Sequence, residues 1–180
     1  IIHDEAIRLT RLLDDLLDLS VLENGQVSLN LREARLSEVL DRAVSAAAAD
    51  EVGGGLSVRR DRPREGIWLH TDIDRLSQVF INLIANARKY CDADHPELRI
   101  SVRQEAGRVV IDFIDNGSGI APEAQDVIFE KFSRVSDQKA GGAGLGLAIC
   151  RQIMTRLQGE IAYLPGQKGA AFRVIMPSRL

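Results

Sequence analysis

The sequence predicts an α+β fold: a two-layer α/β sandwich, with helices on one face of a mixed sheet, preceded by one long helix. Three observations carry this. Apolar residues over positions 1–24 recur at steps of four and three and then stop at Asn24-Gly25. Beyond that point, segments of helical period and hairpin-like strands come in blocks, not in strict alternation, which points to an α+β sandwich. Turn signals, Gly53-Gly54-Gly55 and Ala106-Gly107, fall between those segments.

The elements follow in order. In the first helix Ile2, Ala6, Leu9, Leu13 and Leu16 form the seam of a helix pair or bundle, widened by Leu12, Leu17 and Leu19. Arg8, Arg11, Asp14, Asp15 and Asp18 mark its wetter faces. A lone helix cannot bury such a stripe, so its partner is either the domain that follows or a second copy. Residues 27–31 alternate as a short strand. Leu36, Val39, Leu40, Ala43, Val44 and Ala47 fall at helical spacing. Strands are expected near 56–60 and 67–69, then a long amphipathic helix over about 72–91. Residues 98–104 and 108–114 read as a hairpin around Ala106-Gly107. A polar, Gly-containing segment spans 116–144, followed by a helix over about 145–157 and strands at 160–164 and 170–176.

Composition bounds the function. With 180 residues, 45% of them hydrophobic, the chain can bury a substantial core. A net charge of −3 argues against nucleic acid as a partner. The apolar runs are too short to span a bilayer. Cys91 and Cys150 fit neither a zinc spacing nor a disulfide framework and read as reduced, core-type thiols in a cytosolic domain. The opening inside a patterned helix reads as part of something longer.

Four glycines within residues 141–146 run straight into an apolar helix. Unpaired N–H groups and a partial positive charge at a helix start attract anions, and glycine lets them approach. The spacing matches neither the dinucleotide fingerprint nor a Walker loop. Alone, the cluster is equally a mobile surface loop. Three further stretches accompany it. Asn82, Asn86, Lys89 and Tyr90 share roughly one helix face, offering amide oxygens for a hydrated divalent cation, an ammonium for phosphate and a ring for a base. Asp115-Asn-Gly-Ser-Gly-Ile follows an apolar strand, and its carboxylate can accept from an exocyclic amine; alone it is an ordinary turn. Phe129 and Phe132 stand three apart, flanked by Lys131 and Arg134.

Together and in this order, these stretches resemble the catalytic, ATP-binding domain of sensor histidine kinases. The N box resembles residues 82–90, the G1 box 115–119, the F box 129–132 and the G2 box 142–146. Residues 166–172 resemble the closing glycine-plus-Phe element. The resemblance covers about residues 27–178 and implies the Bergerat-type ATP fold (GHKL) over residues 26–180. Residues 1–25 resemble the tail of the second helix of the dimerisation and phosphoacceptor domain, whose H box is missing here.

The resemblance implies roles residue by residue. Asp115 would accept from the adenine amino group. Asn86 would hold Mg²⁺ on the phosphates of ATP, supported by Asn82, and Lys89 would pair with a phosphate. Tyr90 would lie near the base, with Ile120 and Leu147 lining the pocket. Gly117 and Gly119 would allow close backbone approach, as would Gly142, Gly144, Leu145 and Gly146 at the end of a lid. Lys131 and Arg134 would be γ-phosphate contacts on that lid, whose polar stretch from about Ser133 to Gly142 would order on nucleotide. The implied partners are a response-regulator receiver domain and the chain's own dimerisation domain, in a homodimer of the full-length protein, located in the bacterial cytoplasm or as the cytoplasmic part of a membrane sensor.

ATP-hydrolysing relatives of this fold carry a Glu where Asn82 stands, and an amide cannot act as a general base. His3 precedes an acid, but no Pro follows, and only about 20 residues separate it from the helix stop, too few for a helical hairpin. The acceptor histidine is therefore expected elsewhere. His70 and His95 show no acid-partner pattern. Two alternatives share the fold: an anti-sigma-type serine kinase, disfavoured by the seam helix and F box, and a non-catalytic nucleotide-binding regulator, disfavoured by the intact Asn86, Asp115 and glycines.

Overall fold

The computed structural model describes residues 1–49, 55–61, 66–133 and 144–178. Five helices and seven strands follow the order α1 (Ile2–Glu23), β1 (Arg32–Arg35), α2 (Leu36–Ala49), β2 (Ser57–Arg60), β3 (Trp68–Thr71), α3 (Ile73–Tyr90), β4 (Glu97–Glu105), β5 (Arg108–Asp115), α4 (Pro122–Gln125), α5 (Gly146–Arg156), β6 (Glu160–Tyr163) and β7 (Ala171–Pro177) among the described residues. A five-stranded sheet has the order β2-β4-β5-β7-β6, and β1 and β3 form a separate antiparallel pair. Only β2 and β4 run parallel, so the sheet is mixed, as expected.

The β4–β5 hairpin closes over Ala106 (φ 42°) and Gly107 (φ 77°), with Glu105 opposite Arg108. Two consecutive left-handed residues give the turn whose twist matches that of the strands. Alternation in β5 then sends Val109, Ile111 and Phe113 into the core beneath α2, α3 and α5. The other face carries Asp112, held in a two-pronged bond by Arg173 on β7 at 2.8 Å to each oxygen.

Helix α3 begins where Asp72 accepts from the Arg75 N–H at 3.1 Å, a side-chain cap for an otherwise orphaned donor. The other Asp72 oxygen accepts from the Asn30 N–H at 2.9 Å, tying the chain before β1 to the start of α3. The strand expected at 27–31 is corrected here: Val27 and Leu29 do pack on the core, but the strand is Arg32–Arg35, paired with β3 from Arg32–Thr71 to Arg35–Trp68. Alternation reported a partly buried face; ladder partners begin only at Arg32.

Helix α1 divides between two environments. Leu19 and Leu22 are buried in the same core as the sheet and helices, with Leu12 and Leu16 packed against it. Its end is fixed by Arg156 of α5, which donates to the Leu22 carbonyl from Nε (3.1 Å) and a terminal nitrogen (2.8 Å). Asp18 accepts from Arg75 at 2.7 Å and Gln78 at 2.8 Å. Ile2, Leu9, Leu13 and Leu17 remain exposed, so the following domain covers only part of the expected stripe.

Candidate functional site

A cleft of about 670 Å³ opens between α3, the C-terminal end of β5 and the start of α5, a volume suited to a small-molecule ligand. Helical spacing puts Asn82, Asn86, Lys89 and Tyr90 along its α3 wall, as expected. Asp115, Gly119 and Ile120 line it from the loop after β5, and Gly144, Leu145, Gly146 and Leu147 from the start of α5. Residues up to 64 positions apart, Asn82 and Gly146, are joined directly: the Asn82 amide donates to the Gly146 carbonyl at 3.3 Å. Asn82 thus pins α5 to α3.

Asp115 is buried at the base of the cleft. Its Oδ1 accepts from the Gly117 N–H at 2.9 Å and the Ala170 N–H at 3.0 Å. Oδ2 makes no hydrogen bond among the described residues, leaving an acceptor for a ligand donor. Burial raises the Asp115 pKa above the usual carboxylate value, opposed by those two N–H donors, while the nearby Asp92 carboxylate raises it further. The neutral form is therefore favoured by folding. Its stabilisation is present at acid pH and is lost as pH rises through the raised pKa.

Gly169 makes this arrangement possible. A Cβ there would collide with the Asp115 main-chain carbonyl and stand 2.5 Å from Oδ1. Gly144, at φ +72°, faces the Ser133 carbonyl, 2.5 Å from where its Cβ would lie. Helix α5 has no side-chain cap at Leu145, so its first-turn N–H groups are available at the cleft wall.

Other expected site residues lie elsewhere. Gly117 is not part of the lining; a Cβ there would meet Asp92 Oδ1 at 2.8 Å, so its loop requires a small residue. Lys131 is also away from the cleft and pairs with Glu23 of α1 at 2.6 Å. The two F-box aromatics part: Phe129 is buried edge-on against Phe172 (6.2 Å between ring centres), whereas Phe132 is exposed. Arg134, Gly142 and the lid stretch beyond Ser133 lie outside the described residues. His3 is exposed, as expected; His70, against expectation, has an acid partner in Glu33 at 3.0 Å.

Three contributors escaped sequence reasoning. Asp92 accepts from the Ser118 N–H (2.8 Å) and hydroxyl (2.6 Å), which fixes the loop after β5 and holds the Asp92 carboxyl below its usual pKa. Asn116 accepts from the Glu97 N–H at 2.8 Å and donates to the His95 carbonyl at 2.9 Å, clamping the chain after α3. Asp15 reaches the cleft from α1. An acid two residues past Tyr90 was visible as a signal for Asp92; nothing local distinguished Asp15 from Asp14.

Residues 71–180 match the family of histidine kinase-, DNA gyrase B-, and HSP90-like ATPases. The chain belongs to this family. This makes it a GHKL-type domain, a class that implies ATP binding. The sensor protein KdpD of Escherichia coli K12 is 34% identical over 180 residues, covering 99% of this chain and 20% of KdpD. The alginate biosynthesis sensor protein KinB of Pseudomonas aeruginosa is also 34% identical, covering 98% of this chain and 29% of KinB. The chain thus spans a fifth to under a third of these relatives. Among solved structures, the Acinetobacter baumannii histidine kinase AdeS superposes with a TM-score of 0.79 at 28% identity, covering 98% of this chain and 82% of that one. Full-length ShkA in complex with AMPPNP gives 0.74 at 27% identity, over 94% of this chain and 36% of that one.

The thiols of this GHKL-type domain are in contrasting settings. Cys150 is fully buried and its pKa is pushed up to about 12 by desolvation, whereas Cys91 is part-exposed at the cleft wall. Thiolate access governs alkylation. Iodoacetamide on the native protein is expected to label Cys91 and spare Cys150, read by peptide mass spectrometry; equal labelling would contradict the burial.

Proposed function

We propose that the chain binds Mg-ATP in this cleft and donates the γ-phosphoryl group to a histidine on the dimerisation domain of a two-component sensor kinase, for relay to a response-regulator aspartate. In this reading residues 1–25 belong to the dimerisation domain and 26–180 to the catalytic domain, and the parent protein works as a homodimer on the cytoplasmic side. The observation that carries the proposal is Asp115: a buried carboxylate with one unengaged oxygen, at the base of a cleft whose other walls offer Asn86, Lys89 and uncapped helix N–H groups. An adenine amino group supplies the donor that Oδ2 lacks. The nearby Lys89 cation and the start of α5 favour a polyphosphate. ShkA, which matches 94% of this chain over 36% of its own length, was solved in complex with AMPPNP.

Among the described residues no group of three or more His, Cys, Asp or Glu could hold a metal by itself. That suits Mg²⁺, which keeps several waters and is bound largely through substrate phosphates, with Asn86 as the protein oxygen. When bound, the ion neutralises charge developing on the transferred phosphoryl group. Lys89 adds a cation, Asn82 keeps α5 against α3, and Tyr90, Ile120 and Leu147 border the base. With its amide committed to Gly146 and no carboxylate in its place, Asn82 cannot activate water, which favours transfer to histidine over hydrolysis.

Asp115→Asn is expected to weaken ATP binding by roughly 1–3 kcal/mol, the cost of mispairing a buried polar group. ATP should be preferred to GTP, whose ring carbonyl would face the carboxylate. A titration showing equal affinity for the two nucleotides would sink the assignment.

A further inference from the structure

Among the described lining residues, Asp15 alone comes from α1. It is not a loosely placed surface acid. One turn on, Asp18 is bonded to Arg75 and Gln78 of α3, and Leu16 and Leu19 on either side of the same turn pack into the core. Beyond them Arg156 grips the end of the helix. These contacts fix the register of α1 on the catalytic domain and hold the Asp15 carboxylate at the α3 wall. There burial and the neighbouring Asp18 and Asp14 carboxylates raise its pKa, opposed in part by the Lys89 cation, and it makes no hydrogen bond among the described residues. Asp14, the adjacent acid, is exposed and does not line the cleft.

A carboxylate fixed in the cleft that Asn86 and Lys89 also line opposes, when ionised, a polyphosphate that has no cation. The same carboxylate is compatible with one whose charge is partly neutralised and whose metal retains water, since those waters can donate to it. We propose that Asp15, delivered by α1, makes the cleft select metal-complexed over metal-free nucleotide. This rests on the nucleotide-binding reading of the cleft and goes beyond it, because it ties selectivity to the docking of a helix outside the ATP-binding fold.

The test is calorimetric titration of the full chain with ADP, once with Mg²⁺ and once with EDTA, read as the ratio of the metal-free to the metal-bound dissociation constant. Asp15→Asn is expected to lower that ratio about tenfold, the size a unit charge produces across a partly solvated cleft, mainly by tightening metal-free binding. Asp15→Ser, which removes the charge with a smaller side chain, should lower it equally. Asp14→Asn carries the same change of net charge and should leave the ratio within about twofold, since exposed charges are screened. An unchanged ratio in Asp15→Asn, an equal fall in Asp14→Asn, or uniform weakening in both buffers would each overturn the inference while leaving the nucleotide site standing. Absence of ADP binding by the unaltered chain in either buffer would overturn both.

Discussion

In the Asn86→Ala chain, phosphoryl transfer from γ-labelled ATP to a separately supplied dimerisation domain is expected to fall to background, even where nucleotide still binds. Asn86 sits on the cleft wall one turn beyond Asn82 and one turn before Tyr90. Among the proposed ligands it is the one that holds Mg²⁺ and thereby the phosphates. In-line transfer depends on positioning and charge neutralisation, and misplacement by about 1 Å costs on the order of a hundredfold. The unaltered chain alone should neither label itself nor release phosphate at an appreciable rate. His3 is exposed on the first turn of α1, and Asn82 is bonded to Gly146. Supplying an intact acceptor helix in trans should give acid-labile label. Strong self-labelling that vanishes in His3→Gln, or brisk phosphate release by the chain alone, would refute this account.

Gly169→Ala is expected to destabilise the fold by roughly 1–3 kcal/mol or more, the range for forcing a methyl group into a closely packed site, and to weaken nucleotide binding as well. The added carbon has no flexible neighbour to displace: it meets the Asp115 main chain and the bonded carboxylate oxygen together. Relief requires β7 to move away from β5, which breaks the Asp115 N–H bond to the Ala170 carbonyl (2.9 Å) and the Ala170 N–H bond to Oδ1 (3.0 Å). Urea unfolding and ADP titration should move together. Gly166→Ala is the contrast for space, since nothing lies within 4 Å of its Cβ position; its φ of +83° confines the cost to backbone strain. Unfolding midpoints equal to the parent's in Gly169→Ala would show that the strands tolerate the methyl.

Element types were readable because period and turn chemistry are local properties. The 3.6-residue apolar repeat of α3 places Asn82, Asn86, Lys89 and Tyr90 on one wall, and Ala106-Gly107 closes a two-residue hairpin. The cleft's α3 wall, its Asp115 base and the glycines at the start of α5 were likewise legible, since each is a contiguous motif with its own chemistry. Reading failed where a neighbour distant in sequence decided the outcome. The alternation at 27–31 is real burial without a ladder, because β3 offers pairing to Arg32–Arg35. Lys131 has the charge of a phosphate contact but lies beside Glu23, 108 residues away. Gly117 is a glycine for Asp92 and Asp115, its neighbours in the loop.

By itself, the sequence determined the α+β class, the family of the ATP-binding domain and the helix face that carries its polar residues. Each of these follows from side-chain order along one segment. Only the tertiary structure decided which side of α1 meets the domain. Two adjacent acids are equivalent on an isolated helix, yet they differ by about 100° around its axis, so docking turns Asp15 into the cleft and leaves Asp14 in water. It also decided that Gly169, in the bend before β7, must lack a side chain, because the constraint comes from the Asp115 backbone at the end of β5. Chemistry carried by one segment is written in local order, whereas which charge faces which cavity depends on packing between segments, and packing is fixed only when the whole core closes.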